Sequence, residues 1–315
     1  MREHVTSIAI KGSQLGLGIL LLLSLAGYLG KTSQYFELAS HFKVQYLSLA
    51  VVFLLIVTWH RMKLWVLIGT IVMLLNASEV IPLYIPGAGQ TTEDEKIILR
   101  IMLSNVQRSN TAHSKLISLV HREKPDILVA EEVDRWWAAS LEALTPLLPY
   151  KKILSRNDNF GIAIYSRFPC DSAETLNLGK VSAPSIFTRI TIAEKAINLL
   201  AVHPPPPIGI ESYSKRNSQL SAMSTYIKLL PNPKIVVGDL NVTMWSPYFT
   251  ELLEESNLLN ARKGYGVVAS WPTQFPPLMI PIDHCLTSPD IQVKEIRLLG
   301  NIGSDHLPIM LRLVI

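Results

Sequence analysis

Short polar groups at the ends of apolar runs constrain the fold of this chain more than any other feature. In chain order they are Asn105, Glu131-Glu132, His203, Gly238-Asp239-Leu240-Asn241 and Ser304-Asp305-His306. The apolar runs beside them are short and rich in β-branched residues, which is typical of buried strands. Because strand ends collect at one end of a sheet, this order predicts a polar site assembled from several separate strands.

The residue types in these groups suit chemistry at a phosphate ester. A phosphodiester is anionic, so its hydrolysis needs a cation on the phosphate, a base for water and groups that stabilise the departing oxygen. Mg²⁺ prefers carboxylate, amide and water oxygens, and suitable donors are Asn105, Glu132 and Asp305. Asp239 and Asn241 lie two residues apart, so one could take a proton from water while the other holds water or phosphate.

Two further residues fit the same chemistry. His306 could donate a hydrogen bond to a non-bridging phosphate oxygen, and Asp283 could pair with a histidine and fix its tautomer. Each residue taken singly has an ordinary explanation, such as a turn asparagine, a solvated strand end or a core histidine. Their order and their placement at strand ends together favour a functional site.

The pattern of strands and helices indicates the fold class. Helices are predicted at 113–123, 136–148 and 216–230 and after Ser246-Pro247, where an N-cap serine precedes a proline at the first helical position. The helical segments alternate loosely with strand-like ones, and several strands are adjacent in sequence. This arrangement predicts two packed sheets with helices outside, rather than one parallel sheet.

Residues 98–315 resemble the endonuclease/exonuclease/phosphatase superfamily along the whole of this segment. The matching stretches are 99–106, 125–132, 161–167, 202–203, 237–241, 271–272, 282–284 and 303–308. Trp245-Ser246-Pro247 and Trp271-Pro272 are similar to a membrane-anchored bacterial branch. The resemblance implies a four-layer α/β/β/α sandwich and Mg²⁺-dependent cleavage of a phosphate ester, with Mn²⁺ as a second candidate ion.

The resemblance also implies a metal site. Glu132 is similar to the metal-binding glutamate of the family, with Asn105 and Asp305 beside it. The family usually has glutamine before this glutamate, and here the residue is Glu131. An extra carboxylate at that place either raises metal affinity or faces away from the ion.

The catalytic roles that the resemblance implies fall on five residues. Asp239 is similar to the aspartate that activates water, and Asn241 is its polar neighbour. His203 matches the histidine near the scissile phosphate. His306 is similar to the histidine that contacts the phosphate, and Asp283 to the aspartate that orients it. All five are present, so we expect an active enzyme.

The first part of the chain is predicted to lie in a membrane. Residues 12–30, 44–60 and 64–85 are almost free of charge, and about 20 apolar residues span a bilayer as a helix. A cleaved signal peptide is the alternative for the first stretch, but its apolar run is long and two more follow. We therefore predict three transmembrane helices within residues 1–85, a linker at 86–96 and a catalytic domain at 97–315.

Lysine and arginine near these helices predict the orientation. Arg2 and Lys11 precede the first helix, and Arg61 and Lys63 lie in the short turn between the second and third. The loop at 31–43 has two such residues, at its ends. The positive-inside rule then places the tail and the short turn in the cytoplasm. A multi-pass protein of a bacterial inner or plasma membrane, with its catalytic domain outside the cytoplasm, is predicted.

The net charge of the predicted catalytic domain gives only a weak indication of the substrate. Residues 97–315 contain 22 Lys and Arg against 19 Asp and Glu, a weak basicity for a protein that tracks nucleic acid. With the anchor, this mildly favours a lipid head group or a small phosphodiester. An extracytoplasmic endonuclease or exonuclease on DNA or RNA is the alternative, and a non-catalytic binding module is a second. No pattern indicates a protein partner. Cys170 and Cys285 permit one disulfide without implying it.

Overall fold

The N-terminal part of the molecule is a group of packed helices. The computed structural model describes residues 2–86 and 97–315. The helices are α1 (Arg2–Tyr28), α2 (Gln34–Ser40), α3 (Lys43–Trp59) and α4 (Lys63–Val80), followed by a 3₁₀ turn at Ile81–Tyr84. Helix α3 packs against both α1 and α4. A buried hydrogen bond of 2.8 Å from Asn76 Nδ2 to Ser24 Oγ joins α4 to α1, as polar contacts commonly join helices in lipid.

The direction of these helices follows from contacts near their ends. Gln14, in the first half of α1, donates to the Met62 sulfur just before α4 begins. Tyr28, the last residue of α1, reaches the carbonyl of Leu75 near the end of α4. Helices α1 and α4 therefore run in the same direction and α3 runs back between them. The start of α1 and the turn at 60–62 lie at one end of the group.

The predicted number of three transmembrane helices is corrected to two, or to three if a bent pair of helices is counted as one span. Thr6–Tyr28 and Lys63–Tyr84 are long and apolar enough to cross a membrane. Helices α2 and α3 meet at a bend of 65° and form a third span only if they are taken together. Helix α3 alone has 17 residues, about 25 Å at 1.5 Å per residue, which is shorter than a hydrocarbon core of about 30 Å. The predicted loop at 31–43 contains α2.

Two six-stranded mixed sheets form the centre of the C-terminal part. The first sheet contains β1 (Ile98–Asn105), β2 (Ile127–Glu131), β3 (Tyr150–Leu154), β4 (Ile162–Ser166), β11 (Gln292–Leu298) and β12 (Ile309–Val314), in the order β11-β12-β1-β2-β4-β3. The second contains β5 (Cys170–Leu176), β6 (Ser185–Ile192), β7 (Lys195–Val202), β8 (Lys234–Asp239), β9 (Leu259–Asn260) and β10 (Asp283–Thr287), in the order β5-β6-β7-β8-β10-β9. The pairs β1–β2 and β7–β8 are parallel, and the others are antiparallel.

Helices cover the outer face of each sheet. They are α5 (His113–Glu123) and α6 (Arg135–Leu141) on the first sheet, and α7 (Gly209–Lys228) and α8 (Pro247–Ser256) on the second. Aliphatic side chains from both sheets, such as Leu103 and Val237, fill the space between them. Separate apolar layers lie under each helix pair. This confirms the predicted four-layer α/β/β/α sandwich, with packed sheets and helices outside.

The predicted elements differ from the observed ones mainly at exposed positions. The sequence does not predict strands β3, β5, β9 and β10. Strands β3, β5 and β9 lie at the edges of their sheets, whereas β10 is a short buried strand between β8 and β9. An edge strand is covered less, so its sequence lacks the continuous apolar run of a central strand; β5, for example, has no buried residue. The helix expected at 136–148 is the shorter α6 with a 3₁₀ turn at Glu142–Leu144. Cys170 and Cys285 are free thiols. The predicted linker lies outside the described residues after position 86.

Candidate active site

Strand ends from the two sheets converge at one end of the sandwich. In the first sheet, Asn105 at the end of β1 pairs with Glu131 at the end of β2. In the second sheet, Asp239 at the end of β8 pairs with Asp283 at the start of β10. The Asn105 Nδ2 group lies 3.3 Å from Asp239 Oδ2, so it joins the two sheets directly. The polar groups of the sequence therefore meet in space.

Asn105 and Glu132 form one side of this site. Asn105 Nδ2 donates to Glu132 Oε1 at 3.2 Å, and Asn105 Oδ1 accepts the backbone N–H of Gln107 at 3.0 Å. The second Glu132 oxygen accepts the backbone N–H of Arg108 at 3.2 Å. Asn105 is buried and Glu132 is half-buried. The Glu132 carboxylate is thus held in place while part of it remains open to solvent.

Several residues of the site have a left-handed backbone. The φ angles are 60° at Glu132, 50° at Asn241 and 55° at Gln107. A non-glycine residue in this region costs on the order of 1–3 kcal/mol and persists where its surroundings hold it. Such positions cluster at functional sites. Here the left-handed turns come directly after β2 and β8, where they direct Glu132 and Asn241 towards the site.

Asp239, His306 and Asp283 form a chain of charged groups on the other side. His306 Nδ1 and Asp283 Oδ2 are 2.9 Å apart, and the Ser270 hydroxyl also donates to Asp283. The other ring nitrogen, His306 Nε2, lies 3.7 Å from Asp239 Oδ2. His203 Nε2 approaches the same Asp239 oxygen at 3.6 Å. These last two distances exceed a hydrogen bond, so both Nε2 protons can serve another acceptor.

The carboxylates keep both histidines charged. Burial lowers the pKa of His203, but the neighbouring Asp239 carboxylate outweighs it and raises the pKa to about 9. Burial likewise opposes the charge on His306, and Asp283 and Asp239 raise its pKa to about 10. The pKa of Asp283 is lowered because His306 and its hydrogen bond overcome the effect of burial. At neutral pH two imidazolium groups therefore face Asp239.

Glu131 lies beneath the site and does not face outwards. The backbone N–H of Asp239 donates to its carboxyl oxygens at 3.0 and 3.2 Å. A Cβ at Gly238 would lie 1.8 Å from the Val202 carbonyl oxygen and 2.8 Å from Glu131 Oε1, so this close approach requires glycine. Burial raises the pKa of Glu131 to about 8. A protonated Glu131 is a neutral group of the shape of glutamine. Glutamate in place of the family's usual glutamine therefore changes the chemistry of this position little.

Replacing Glu131 by glutamine is expected to stabilise the protein increasingly as the pH rises from about 5 to 8. In this window the folded carboxyl, with a pKa of about 8, keeps a proton that an unfolded carboxyl, with a pKa of 4.5, has lost. Wild-type stability therefore falls with pH, by on the order of 1 kcal/mol per pH unit. Glutamine has no proton to lose. Melting temperatures of both proteins from pH 4 to 9 measure the effect.

The difference between the two melting curves should grow through that window and level off above pH 8. Glu142→Gln is the comparison variant, because Glu142 is 52% exposed and pairs with Lys151 at the surface, so it measures what removing a surface carboxylate does under the same conditions. Parallel curves for Glu131→Gln and wild type would show that Glu131 is ionised throughout.

Asp305 is connected to the site by hydrogen bonds to neighbouring residues. Its backbone N–H donates to Gln107 Oε1 at 3.2 Å, and its Oδ2 accepts the indole N–H of Trp271 at 3.1 Å. Ser304 Oγ donates to the Asn105 carbonyl at 2.8 Å, which ties this segment to β1. Among the described residues no hydrogen bond joins Asp305 directly to Glu132. The structure thus brings Asn105, Glu132 and Asp239 into contact and places Asp305 beside them.

Three residues of the site were not identified as participants from the sequence. They are Gln107, Ser270 and Trp271, which bond Asp305 or Asp283. Trp271 belongs to a matching stretch, and Ser270 directly precedes it, so that stretch was the available signal. Asn241 is where it was expected, but its side chain donates to the Pro204 carbonyl at 2.9 Å. It therefore connects the turn after β8 with the segment after His203.

The side chains present fit a divalent cation. Carboxylate oxygens of Asp239 and Asp283 and a nitrogen of His306 lie within 4.8 Å of one another. In that group Asp283 is already bonded to His306 and to Ser270, and Mg²⁺ prefers oxygen to imidazole. The half-buried Glu132 supplies carboxylate oxygens and Asp305 is a further donor nearby. The Asn105 Oδ1 also accepts the Gln107 N–H, and its Nδ2 faces Glu132 and Asp239.

The fold and the site together place the chain in the class of hydrolases that cleave phosphate esters. Residues 102–306 match the model of the Endonuclease/Exonuclease/phosphatase family, which is more than half of the chain. The chain therefore belongs to this family, whose members depend on divalent metal ions. The membrane-anchored branch within it is not distinguished by this match. A search of curated proteins gave no significant match.

Solved structures with the same fold include proteins from animals and bacteria. A structure of D. rerio TDP2 complexed with a single-strand DNA product is 17% identical, with a TM-score of 0.59, covering 69% of this chain and 98% of that one. The human Nocturnin catalytic domain with bound sulfate is 18% identical, with a TM-score of 0.57, covering 69% and 97%. A family protein from Bacteroides thetaiotaomicron is 18% identical, with a TM-score of 0.55, covering 70% and 98%. These likenesses show the fold.

Proposed function

We propose that this protein is a membrane-anchored, Mg²⁺-dependent phosphodiesterase or phosphatase that hydrolyses a phosphate ester by in-line attack of water. The observation that carries the proposal is the position of the Asp239 carboxylate. Its Oδ2 lies 3.6 Å from His203 Nε2 and 3.7 Å from His306 Nε2. A base between two cationic imidazoles can take a proton from water while the imidazoles contact the phosphate.

Each side chain has a role in this reaction. Asp239 takes the proton from water as the new P–O bond forms and the ester P–O bond breaks, and the departing oxygen leaves as an alcohol with a proton taken from solvent. His203 and His306 donate hydrogen bonds to the non-bridging oxygens, and Asp283 holds the His306 ring in orientation through their 2.9 Å contact. The Asn241 backbone N–H donates to Asp239 Oδ1 at 3.0 Å, and Asp239 Oδ2, which accepts from Asn105 Nδ2 at 3.3 Å, is the oxygen that faces both imidazoles.

Asn105, Glu132 and Asp305 would hold the metal ion, for which Mg²⁺ is the proposed identity and Mn²⁺ the second candidate. Hard cations of this kind take oxygen donors, and the amide and carboxylates of these residues provide them. When bound, the ion neutralises negative charge on the phosphate. The hydrogen bond from Asn105 to Glu132 supports a shared task for these two residues.

The surface of the N-terminal helices supports a membrane anchor. On α1, Leu15 and Leu22 are 67% and 69% exposed, and on α4, Leu67 and Leu74 are each 58% exposed. Leucines exposed along two helices of spanning length would meet water in a soluble protein, whereas in lipid they need no partner. We infer that α1 and α4 cross the bilayer and that α2 with α3 forms a broken third span.

The side of the membrane follows from charge. The first part of α1, with Arg2 and Lys11, lies at the same end as Arg61 and Lys63, since α1 and α4 run in the same direction. The positive-inside rule assigns that end to the cytoplasm, and the catalytic domain to the other side. A reporter fused after Ile315 that works only outside the cytoplasm tests this; activity confined to the cytoplasm would reverse the assignment.

The proposed substrate is a lipid head group or a small phosphodiester near the membrane. The near balance of charge in residues 97–315 supplies little of the basic surface that nucleic acids attract. A nuclease is the alternative on the same fold, since the D. rerio TDP2 structure contains a single-strand DNA product.

Full-length protein in detergent micelles is expected to hydrolyse a chromogenic bis-ester and phospholipid in mixed vesicles when Mg²⁺ is present, and to stop when the ion is chelated. Plasmid DNA and RNA are the competing substrates in the same assay. The Asp239→Asn variant, purified in parallel, measures any contaminating activity. Cleavage of nucleic acid without lipid hydrolysis would establish the nuclease alternative, and wild-type activity no higher than that of the variant on every substrate would refute the proposed reaction.

A further inference from the structure

The short helix α2 of the N-terminal part contacts the loop that follows β8 in the catalytic part. Glu37 Oε1 accepts the Ser246 hydroxyl at 2.6 Å, and His41 Nδ1 lies 2.9 Å from Thr243 Oγ1. Thr243 and Ser246 lie a few residues beyond Asp239, in the loop that leads to α8. The loop that leaves the active site is therefore bonded to the helix group at two points.

A buried ion pair makes the third contact. Glu37 Oε2 and Arg216 Nη2 of α7 are 2.7 Å apart, and their side chains are 1% and 0% exposed. The other terminal nitrogen of Arg216, Nη1, donates to the Asn241 carbonyl at 2.9 Å, and its Nε donates to Asn217 Oδ1 at 2.6 Å. One arginine side chain thus connects the helix group with the backbone of a proposed catalytic residue.

The geometry of the guanidinium explains what this connection can do. Its donors form a rigid planar fork, so fixing one nitrogen on Glu37 fixes the direction of the other towards Asn241. A buried ion pair is weak evidence of stability, because an apolar pair of similar volume is often as stable. An apolar pair would supply no donor for the Asn241 carbonyl. The charged pair therefore supplies a hydrogen-bond donor for the Asn241 carbonyl, which apolar side chains cannot.

Asn241 itself connects two catalytic segments. Its backbone is left-handed, with φ 50°, and its N–H donates to Asp239 Oδ1 at 3.0 Å. Its side-chain Nδ2 donates to the Pro204 carbonyl at 2.9 Å, next to His203. A shift of the Asn241 peptide would disturb both Asp239 and the segment that carries His203.

We propose that Glu37 is a positioning residue for the active site, acting through Arg216 on the Asn241 turn, so that the enzyme works at full rate only when α2 is seated on the catalytic domain. The proposal rests on the proposed roles of Asp239 and Asn241 for its effect on turnover. Its effect on the order of the 239–246 loop does not depend on those roles. The N-terminal helices are then part of the catalytic apparatus as well as an anchor.

The test uses full-length protein with two variants, Glu37→Met and the double variant Glu37→Met with Arg216→Met. The single variant is expected to lower kcat by about 10- to 100-fold with little change in KM, since a displacement near 1 Å can cost about 100-fold. The double variant removes the unpaired buried charge, so its melting temperature is expected to recover. Its kcat should stay low because Arg216→Met removes the donor to the Asn241 carbonyl.

A control variant and a second measurement separate positioning from general damage. Lys31→Ala breaks another contact between the two parts, the exposed 3.0 Å pair with Glu251, and should leave kcat unchanged. Hydrogen exchange measured by mass spectrometry should be faster in residues 239–246 of both Glu37 variants and unchanged in β1. Recovery of kcat together with melting temperature in the double variant would overturn the proposal.

The exchange measurement also distinguishes two failures. If wild-type protein hydrolyses nothing beyond the Asp239→Asn background, the proposed function fails, while faster exchange in 239–246 would still support the link from Glu37 to the loop. Unchanged exchange in that segment of both Glu37 variants would overturn the positioning role whatever the activity of the wild type.

Discussion

Replacing Asp239 by asparagine is expected to lower kcat by about 10²–10⁴-fold, the range that positioned general bases contribute. Asparagine has nearly the same shape and can still accept the Asn241 N–H, which now bonds Asp239 Oδ1 at 3.0 Å. It cannot take a proton from water. Steady-state hydrolysis of a chromogenic bis-ester by full-length protein at saturating Mg²⁺ measures the change.

The matched control for this variant is Asp171→Asn. Asp171 is exposed on β5, and its carboxylate accepts the Thr191 hydroxyl far along the sheet from the site. The control should keep wild-type turnover, and both variants should keep their melting temperatures within a few degrees. Turnover by Asp239→Asn equal to that of the wild type would transfer the role of base to another group.

The strands β2 and β8 and their functional ends were predictable because a fully buried strand has a clear apolar sequence pattern. Strand β2 and strand β8 are buried along their whole length, so each is a short apolar run that stops where the polar residues begin. The order of these ends along the chain, together with the family resemblance, was enough to name Asn105, Glu132 and Asp239. The structure brings these three side chains into contact.

Residues that act through partners distant in sequence could not be predicted. Glu37 and Arg216 are 179 positions apart, and nothing beside either residue indicates the other. Helix α2 has seven residues, too few for a clear helical period, so the sequence predicts a loop in this segment. Ser270 and Gln107 are small or flexible polar residues without a spacing pattern. Their roles follow only from the folded positions of Asp283 and Asp305.

The predicted division into anchor, linker and catalytic domain stays a prediction. Polar contacts join the N-terminal helices to the catalytic part, so the two parts are not independent of each other. Besides the Glu37–Arg216 pair, Trp245 Nε1 donates to the Glu79 carbonyl at 3.2 Å and Gln45 Nε2 to the Met279 carbonyl at 3.0 Å. Composition separates the two parts clearly because one is apolar and the other is not. Composition carries no information about polar contacts between them, which is why these were not foreseen.

Replacing Glu132 is expected to weaken Mg²⁺ binding and to lower turnover by at least about 10- to 100-fold, the loss that even groups behind metal ligands produce. Glu132→Gln retains an acceptor for the Arg108 N–H and removes the charge, whereas Glu132→Ala removes both. The fold should survive because the side chain is half-buried at a strand end. Calorimetric titration of Mg²⁺ into full-length wild type and variants measures the affinity directly.

Two further variants decide which donor set holds the ion. Asn105→Ala should weaken Mg²⁺ binding in the same direction as Glu132→Gln but less, because an amide oxygen carries no net charge. Asp283→Asn should leave Mg²⁺ affinity near the wild-type value and lower turnover, since Asp283 is bonded to His306 and Ser270. If Asp283→Asn abolishes binding while Glu132→Gln binds as the wild type does, the ion belongs to Asp239, Asp283 and His306, and the roles assigned to the two sides of the site must be exchanged.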